Sequence, residues 1–179
     1  MLGNDIVDLD KANTESDWKR KGYLDKLFSS QEQQEILNSS NPERMVWLFW
    51  SIKEAAYKIV NRETQERFYS PRKFNVTSIG NNGIVTFEGK TFYTKSEIKD
   101  NLIHTIAAAK AESLNHIQTS FLTNTSDYLS HFNSKSEHYT LEKDANGIPN
   151  LVDKINGESH FASISHHGRY LAVVYGVSL

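Results

Sequence analysis

Glu54 and Lys58, four residues apart, and Asp5 near the N-terminus are the side chains of this chain whose types and settings point to chemistry. The first two lie in Trp50-Ser51-Ile52-Lys53-Glu54-Ala55-Ala56-Tyr57-Lys58. Four residues turn a helix by about 40° beyond one revolution and raise it roughly 6 Å. Arg44, Trp47, Ser51, Glu54, Lys58 and Arg62 therefore fall near one mostly polar stripe, with a carboxylate below cations. The plainer reading of that stripe is a solvated face, on which the Glu54–Lys58 pair adds about 0.2–0.5 kcal/mol. Asp5 stands in the apolar run 2–9, where strands disfavour Asp. Alternation puts Asp5 on one face with Gly3, Val7 and Leu9, and Asp8 on the other with Asn4 and Ile6. Either the strand ends in exposed acids, or one Asp is a metal ligand beside a small residue that leaves room.

The elements that must position these groups follow from pattern. Asn41 suits an N-cap and Pro42 a first helical position. From residue 43 to 60 there is no Gly or Pro, and Met45, Leu48, Phe49, Ile52, Ala55, Ala56 and Ile59 form an apolar stripe. A long helix is expected there, preceded by a helix over 14–28 that Gly22 interrupts and a short helix over 30–38 opened by the capping box Ser29/Glu32. Residues 61–72 read as a polar loop and 73–79 as a strand. Asn81-Asn82-Gly83 is a hairpin signal, followed by a return strand over 84–88, a Gly89-Lys90 turn and a strand over 91–94. Residues 102–109 suit a buried strand or a short helix, with His104 as a core histidine. Residues 110–136 are polar and yield only a short helix near 126–133. Strands are expected over 137–142, 160–165 and 169–177, with Ser165-His166-His167-Gly168 as the turn between the last two. The final strand is apolar on both faces and so central in its sheet. Strands and helices segregate without βαβ alternation, which gives an α+β class with mostly antiparallel sheet packed on the long helix.

Composition narrows the function. The chain has 179 residues, 38% hydrophobic and 23% charged, enough for a packed core. The net charge of −2 lacks the basic excess of a nucleic-acid binder. Without cysteine there is no disulfide, thiol nucleophile or zinc knuckle. No apolar run approaches a membrane span and the N-terminus lacks a signal-peptide pattern, so no membrane association and a cytoplasmic location are expected.

Three pieces stand in one order: Gly3-Asn4-Asp5, then the helix segment 50–58, then Ser163-Ile164-Ser165-His166. Together they resemble the 4′-phosphopantetheinyl transferase superfamily, with its G-x-D, [W/F]-x-x-K-E-A-x-x-K and S-x-S-H signatures. Phe28-Ser29-Ser30-Gln31-Glu32 is similar to the family's F-[ST]-x-x-E helix start, and Gly147-Ile148-Pro149 to its G-K-P turn. The motif order is that of the short holo-acyl-carrier-protein synthases. The resemblance implies transfer of phosphopantetheine from coenzyme A to a serine of an apo acyl or peptidyl carrier protein, releasing adenosine 3′,5′-bisphosphate. It implies Mg²⁺ held by Asp5 and Glu54, with pyrophosphate and water completing about six oxygens. Asp5, Glu54 and Lys58 would be catalytic, with Glu54 or water on the metal taking the serine proton and Lys58 on the pyrophosphate. Ser165 and His166 would bind a coenzyme A phosphate, and Arg44 and Gly147 would complete the donor site.

Two departures stand out. Where longer members carry a second acid after the Asp, this chain has Val7, and Asp8 points to the other face. The Lys of the G-K-P turn is replaced by Ile148; Arg62, Arg67, Arg72 and Lys73 would then meet phosphates or an acidic carrier, or form solvated surface. A single domain over 1–179 is expected, with lobes 1–110 and 111–179. The second would pack on the first within one chain, which favours a monomer over a trimer that shares its sites.

Overall fold

The computed structural model describes residues 1–68 and 70–176, without the side chains of Ser78 and Ile79. The chain opens with strand β1 (Leu2–Asp8), followed by helices α1 (Leu9–Glu15), α2 (Tyr23–Leu27), α3 (Ser30–Asn38) and α4 (Pro42–Thr64). Strands β2 (Asn75–Ile79), β3 (Asn82–Phe87), β4 (Lys90–Lys99) and β5 (Leu102–Ala108) come next. Strand β6 (Ile117–Thr123), helix α5 (Tyr128–Lys135) and strands β7 (Tyr139–Lys143), β8 (Pro149–Asp153), β9 (Ser159–His167) and β10 (Tyr170–Gly176) complete it. Two five-stranded antiparallel sheets result, in the orders β1-β5-β4-β3-β2 and β6-β10-β9-β8-β7. The α+β class with antiparallel sheet and a long helix is thus observed, and residues 102–108 take the strand alternative.

Each sheet has its own core. Helix α4 lays Phe49, Ile52, Ala56 and Ile59 on the first, against Val85, Phe92 and Ile103. Helix α5 lays Phe132 on the second, against Leu141, Leu151 and Leu171. Between the two runs β1, buried on both faces. Gly3, Asp5 and Val7 look toward α4, whereas Asn4 and Asp8 look toward β9 and β10. The supposedly solvated stripe of α4 is covered in consequence: Trp47 and Ser51 are buried, and Lys58 is only partly exposed.

Gly3 is what allows β1 to lie on α4. A Cβ there would fall on the carbonyl oxygen of Ala55, with Ile59 Cγ1 only 3.3 Å away. The glycine removes a clash between strand and helix backbones. Gly3→Ala should therefore cost about 3 kcal/mol, the upper range for overpacking, and displace Asp5 from α4. Urea denaturation checks this, and an unchanged midpoint would contradict the packing.

Several local expectations shift. The helix expected over 14–28 is replaced by α1, which reaches only residues 14–15 of that span, and by α2 inside it, because β1 passes directly into α1 and Gly22, at φ 79°, starts α2 afresh. Helix α4 runs on to Thr64, into the expected loop. The first two hairpin turns sit one residue early, at Gly80-Asn81 and Glu88-Gly89, where Gly80, Glu88 and Gly89 take positive φ. Gly83 is instead a strand residue under Ile52, facing Thr94. The last turn is Gly168-Arg169, so His166 and His167 belong to β9. Strands β6 and β8 were not foreshadowed by the pattern.

Candidate active site

The site forms where β1, α4 and β9 meet. Helix α4 and strand β1 place Lys58 Nζ 3.8 Å from Asp5 Oδ1. The ammonium also donates to the main-chain oxygens of Asn4 (2.7 Å) and Ile164 (3.2 Å), so one lysine spans both sheets. Its side chain keeps 28% of its surface exposed, and Asp5 keeps 13%. Burial pushes the Asp5 carboxyl above its ordinary range, against the pull of Lys58 and then of the Ser51 hydroxyl. Burial likewise pushes the Lys58 amine down, against the pull of Asp5 and Glu54. Glu54 is partly buried on α4, close enough for Tyr57 and Lys58 to feel its charge. Lys58 thus feels the charge of both acids, Asp5 first and Glu54 second.

A buried row of hydroxyls backs Asp5. Asp5 pairs with Thr105 across β1 and β5, and Thr105 with Ser96 across β5 and β4. Thr105 Oγ1 lies 3.0 Å from Ser51 Oγ and 2.9 Å from Ser96 Oγ. These bonds fix α4 over the sheet at the level of the acid.

The other face of β1 makes a polar seam with the second sheet. The Asn4 N–H donates to Ser163 Oγ at 3.2 Å, and Asn4 Nδ2 to Ser165 Oγ at 2.7 Å. Asp8 accepts from the Arg169 main-chain N–H and pairs with the Arg169 guanidinium at 3.3 Å. Asp8 is therefore a buried structural acid, turned away from Asp5. His104 completes the seam, 3.4 Å from Asn4 Nδ2 and edge-on to Phe121. Burial first, and the Lys58 charge second, push its pKa down to about 4. The unfolded chain therefore binds a proton that the folded one refuses between pH 6.5 and about 4. Unfolding free energy should fall by about 3 kcal/mol as pH drops through that window. His104→Asn should lose this component, which denaturation at pH 7 and pH 4 will reveal. Equal pH dependence in the variant would refute it.

The remaining sequence candidates are spread around this centre. Ser165 is buried, its hydroxyl spent on Asn4. His166 is exposed on β9; burial and then Lys58, Lys143 and His167 hold its pKa below the usual value. Gly147, at φ 78°, joins Lys58 in lining a cavity of about 180 Å³ between the end of α4 and the turn before β8. Arg44 lies apart. It starts α4, some 14 residues or roughly 21 Å before Lys58, in a separate cavity with Asp10 and Asp100. A larger cavity of about 510 Å³, lined by Ile84, Tyr93 and Leu114, shares no residue with the site.

Two cations take roles the sequence reading did not assign them. Lys53, next to Glu54, is completely buried and pairs with Glu32 at 2.8 Å, while also donating to the carbonyls of Leu27 and Pro71. Glu32 in turn closes the Ser29 capping box and accepts from Val76 N–H. Arg62 donates to Asn150 Oδ1 and to the carbonyls of Pro149 and Ala162, clamping α4 to β8 and β9. Their partners lie 18–26 and 87–100 residues away, beyond the reach of local spacing.

Asp5 Oδ2 is buried without a hydrogen-bond partner. A bare, buried carboxylate oxygen fits a hard cation that keeps most of its shell for water and phosphate. No group of three or more His, Cys, Asp or Glu side chains among the described residues is arranged to hold a metal.

Residues 1–111 match the family model of the 4′-phosphopantetheinyl transferase superfamily, and the chain belongs to that family. The match spans β1 and α4, and so includes Asp5, Glu54 and Lys58. The family acts on carrier proteins, uses coenzyme A as donor and typically employs a divalent metal. Comparison with curated proteins returns no match. No helix among the described residues is long and apolar enough to cross a membrane.

Proposed function

We propose that this protein is a holo-acyl-carrier-protein synthase acting as one domain. It moves 4′-phosphopantetheine from coenzyme A to a serine hydroxyl of an apo carrier protein and releases adenosine 3′,5′-bisphosphate. The observation that carries the reading is the opposed pair of Asp5 and Lys58, with Asp5 Oδ2 bare and Glu54 one turn below Lys58. Mg²⁺, held by Asp5 and Glu54, would supply Lewis-acid charge neutralisation on the pyrophosphate.

The chain's own groups do the rest. Lys58, fixed by two main-chain carbonyls, presents its charge to the pyrophosphate without reorganising. The carrier serine oxygen attacks the phosphorus that bears pantetheine. The bond from that phosphorus to the bridging oxygen breaks, and the electron pair leaves on the nucleotide. Glu54 takes the serine proton. Ser165 sets β9 against β1, and His166, on the same strand, meets a nucleotide phosphate. That contact would raise its lowered pKa.

Intact-protein mass spectrometry tests this with a panel of apo carriers, coenzyme A and Mg²⁺, with and without chelator. The expected result is one phosphopantetheine gained on a carrier and lost with chelator. No gain on any carrier, with coenzyme A still raising the melting temperature, would reduce the protein to a non-catalytic binder.

A further inference from the structure

The cavity of about 180 Å³ beside Lys58 is walled by three cations, Lys58, Arg62 and Arg67, and by no carboxylate among the described residues. The nearby acid, Asp144, is exposed; it accepts from the N–H groups of Asn146 and Ile148, and its charge reaches Arg62. The turn over residues 144–149 has no cation of its own. The three cations differ in what their donors already do. Lys58 gives two of its three to main-chain carbonyls. Arg62 is occupied by Asn150, Pro149 and Ala162. Arg67 is exposed and makes one hydrogen bond among the described residues, from Nη2 to the carbonyl of Asn146 at 3.0 Å.

The chain is shaped to put Arg67 there. Gln65 ends α4 in the left-handed region at φ 58°, a conformation that costs a residue other than glycine and turns the chain back. Its Oε1 accepts from Asn146 Nδ2 at 2.7 Å, so one asparagine engages both Gln65 and Arg67. A Cβ on Gly147 would lie 3.8 Å from Arg67 Nη2, so the guanidinium lies along the bare backbone of the turn. The cavity is smaller than the roughly 300–1,000 Å³ that enclose a whole ligand. It suits one end of a ligand, and its charge specifies an anion.

We propose that Arg67 binds a phosphate or diphosphate group at the mouth of this cavity, as the guanidinium contact that the turn over 144–149 itself does not supply. The assignment rests on the reading of coenzyme A as donor, and its test separates the two. Arg67→Ala, Arg67→Lys and the distant exposed control Arg20→Ala would be titrated with coenzyme A and with inorganic pyrophosphate by calorimetry. Arg67→Ala should weaken both ligands about tenfold, the loss of a charge-assisted hydrogen bond. Lysine should restore part of it, and Arg20→Ala should match the wild type. In turnover, KM for coenzyme A should rise with kcat nearly unchanged. If the wild type binds coenzyme A and Arg67→Ala binds it equally well, the Arg67 site is wrong and the donor reading stands. If the wild type ignores coenzyme A but binds pyrophosphate through Arg67, the anion site stands and the donor reading falls. If neither ligand binds, both fall.

Discussion

Asp5→Asn should give a folded protein whose transfer rate is lower by about 10³-fold or more, the scale on which a preorganised charge at a reacting phosphate or carbonyl contributes. The substitution keeps the shape of the side chain and removes the charge that faces Lys58. It also takes from the bare Oδ2 the charge that would attract a cation. The same change should not weaken the fold. The folded carboxyl has its pKa raised from 3.8, so ionising it costs more inside the protein than in the unfolded chain. That cost is absent below pH 3.8, grows as pH rises toward the folded value, and is complete above it. Asparagine mimics the protonated form, so the variant should be at least as stable as the wild type at pH 7. The advantage should vanish in acid. Single-turnover assays and denaturation on the same samples read both outcomes. Wild-type transfer by Asp5→Asn would remove Asp5 from the chemistry; a collapse in stability would make it a structural residue.

Lys53→Met should lower the unfolding free energy by about 3–5 kcal/mol, the cost of stranding one member of a buried ion pair. The argument lies in what is left behind. Glu32 is 1% exposed and would keep its bonds to the Ser29 and Val76 N–H groups, but its charge would face no cation. Burial already lowers the Lys53 amine pKa, with the Glu32 hydrogen bond and charge working against it, so the pair holds itself charged only while both partners remain. Glu32→Gln should be similarly damaging. The double variant, with both charges gone, should recover part of the loss, a coupling that marks direct contact. Urea denaturation at neutral pH measures all three. A loss below about 1 kcal/mol for Lys53→Met would mean that water or another group replaces the lysine.

These two predictions show where sequence reading succeeds and where it stops. Periodicity made α4 legible over nearly its whole length, and alternation correctly separated Asp5 from Asp8, because both patterns are local. The fate of α4's polar stripe was not local. Trp47 and Ser51 are buried because β1 and the sheet cross them, which no helical spacing reveals. Lys53 looked like one more cation of a motif, since its partner Glu32 sits on another helix. Strand β6 escaped because it is an edge strand of polar and scattered apolar residues, defined by its register with β10. Strand β8 begins at a proline and is short, with only Leu151 fully buried. The turns moved by a residue where a glycine was needed for packing, as at Gly83, and another residue took the positive φ.

The polar seam along β1 has a mechanical consequence. The two sheets hold separate apolar cores, while Asn4, Ser163, Ser165, Asp8 and Arg169 join them by hydrogen bonds and an ion pair. Buried Leu2, Ile6, Ala172 and Val174 lie along the same faces, so parting the joint would expose apolar surface as well as break these polar bonds. Lys58 is bonded to Asn4 on one side and Ile164 on the other, so it lies across the joint like a bolt. The plane where the two sheets meet is therefore the plane along which Asp5 and Lys58 are mounted, so any loosening of that joint would disturb the candidate site before either core is touched.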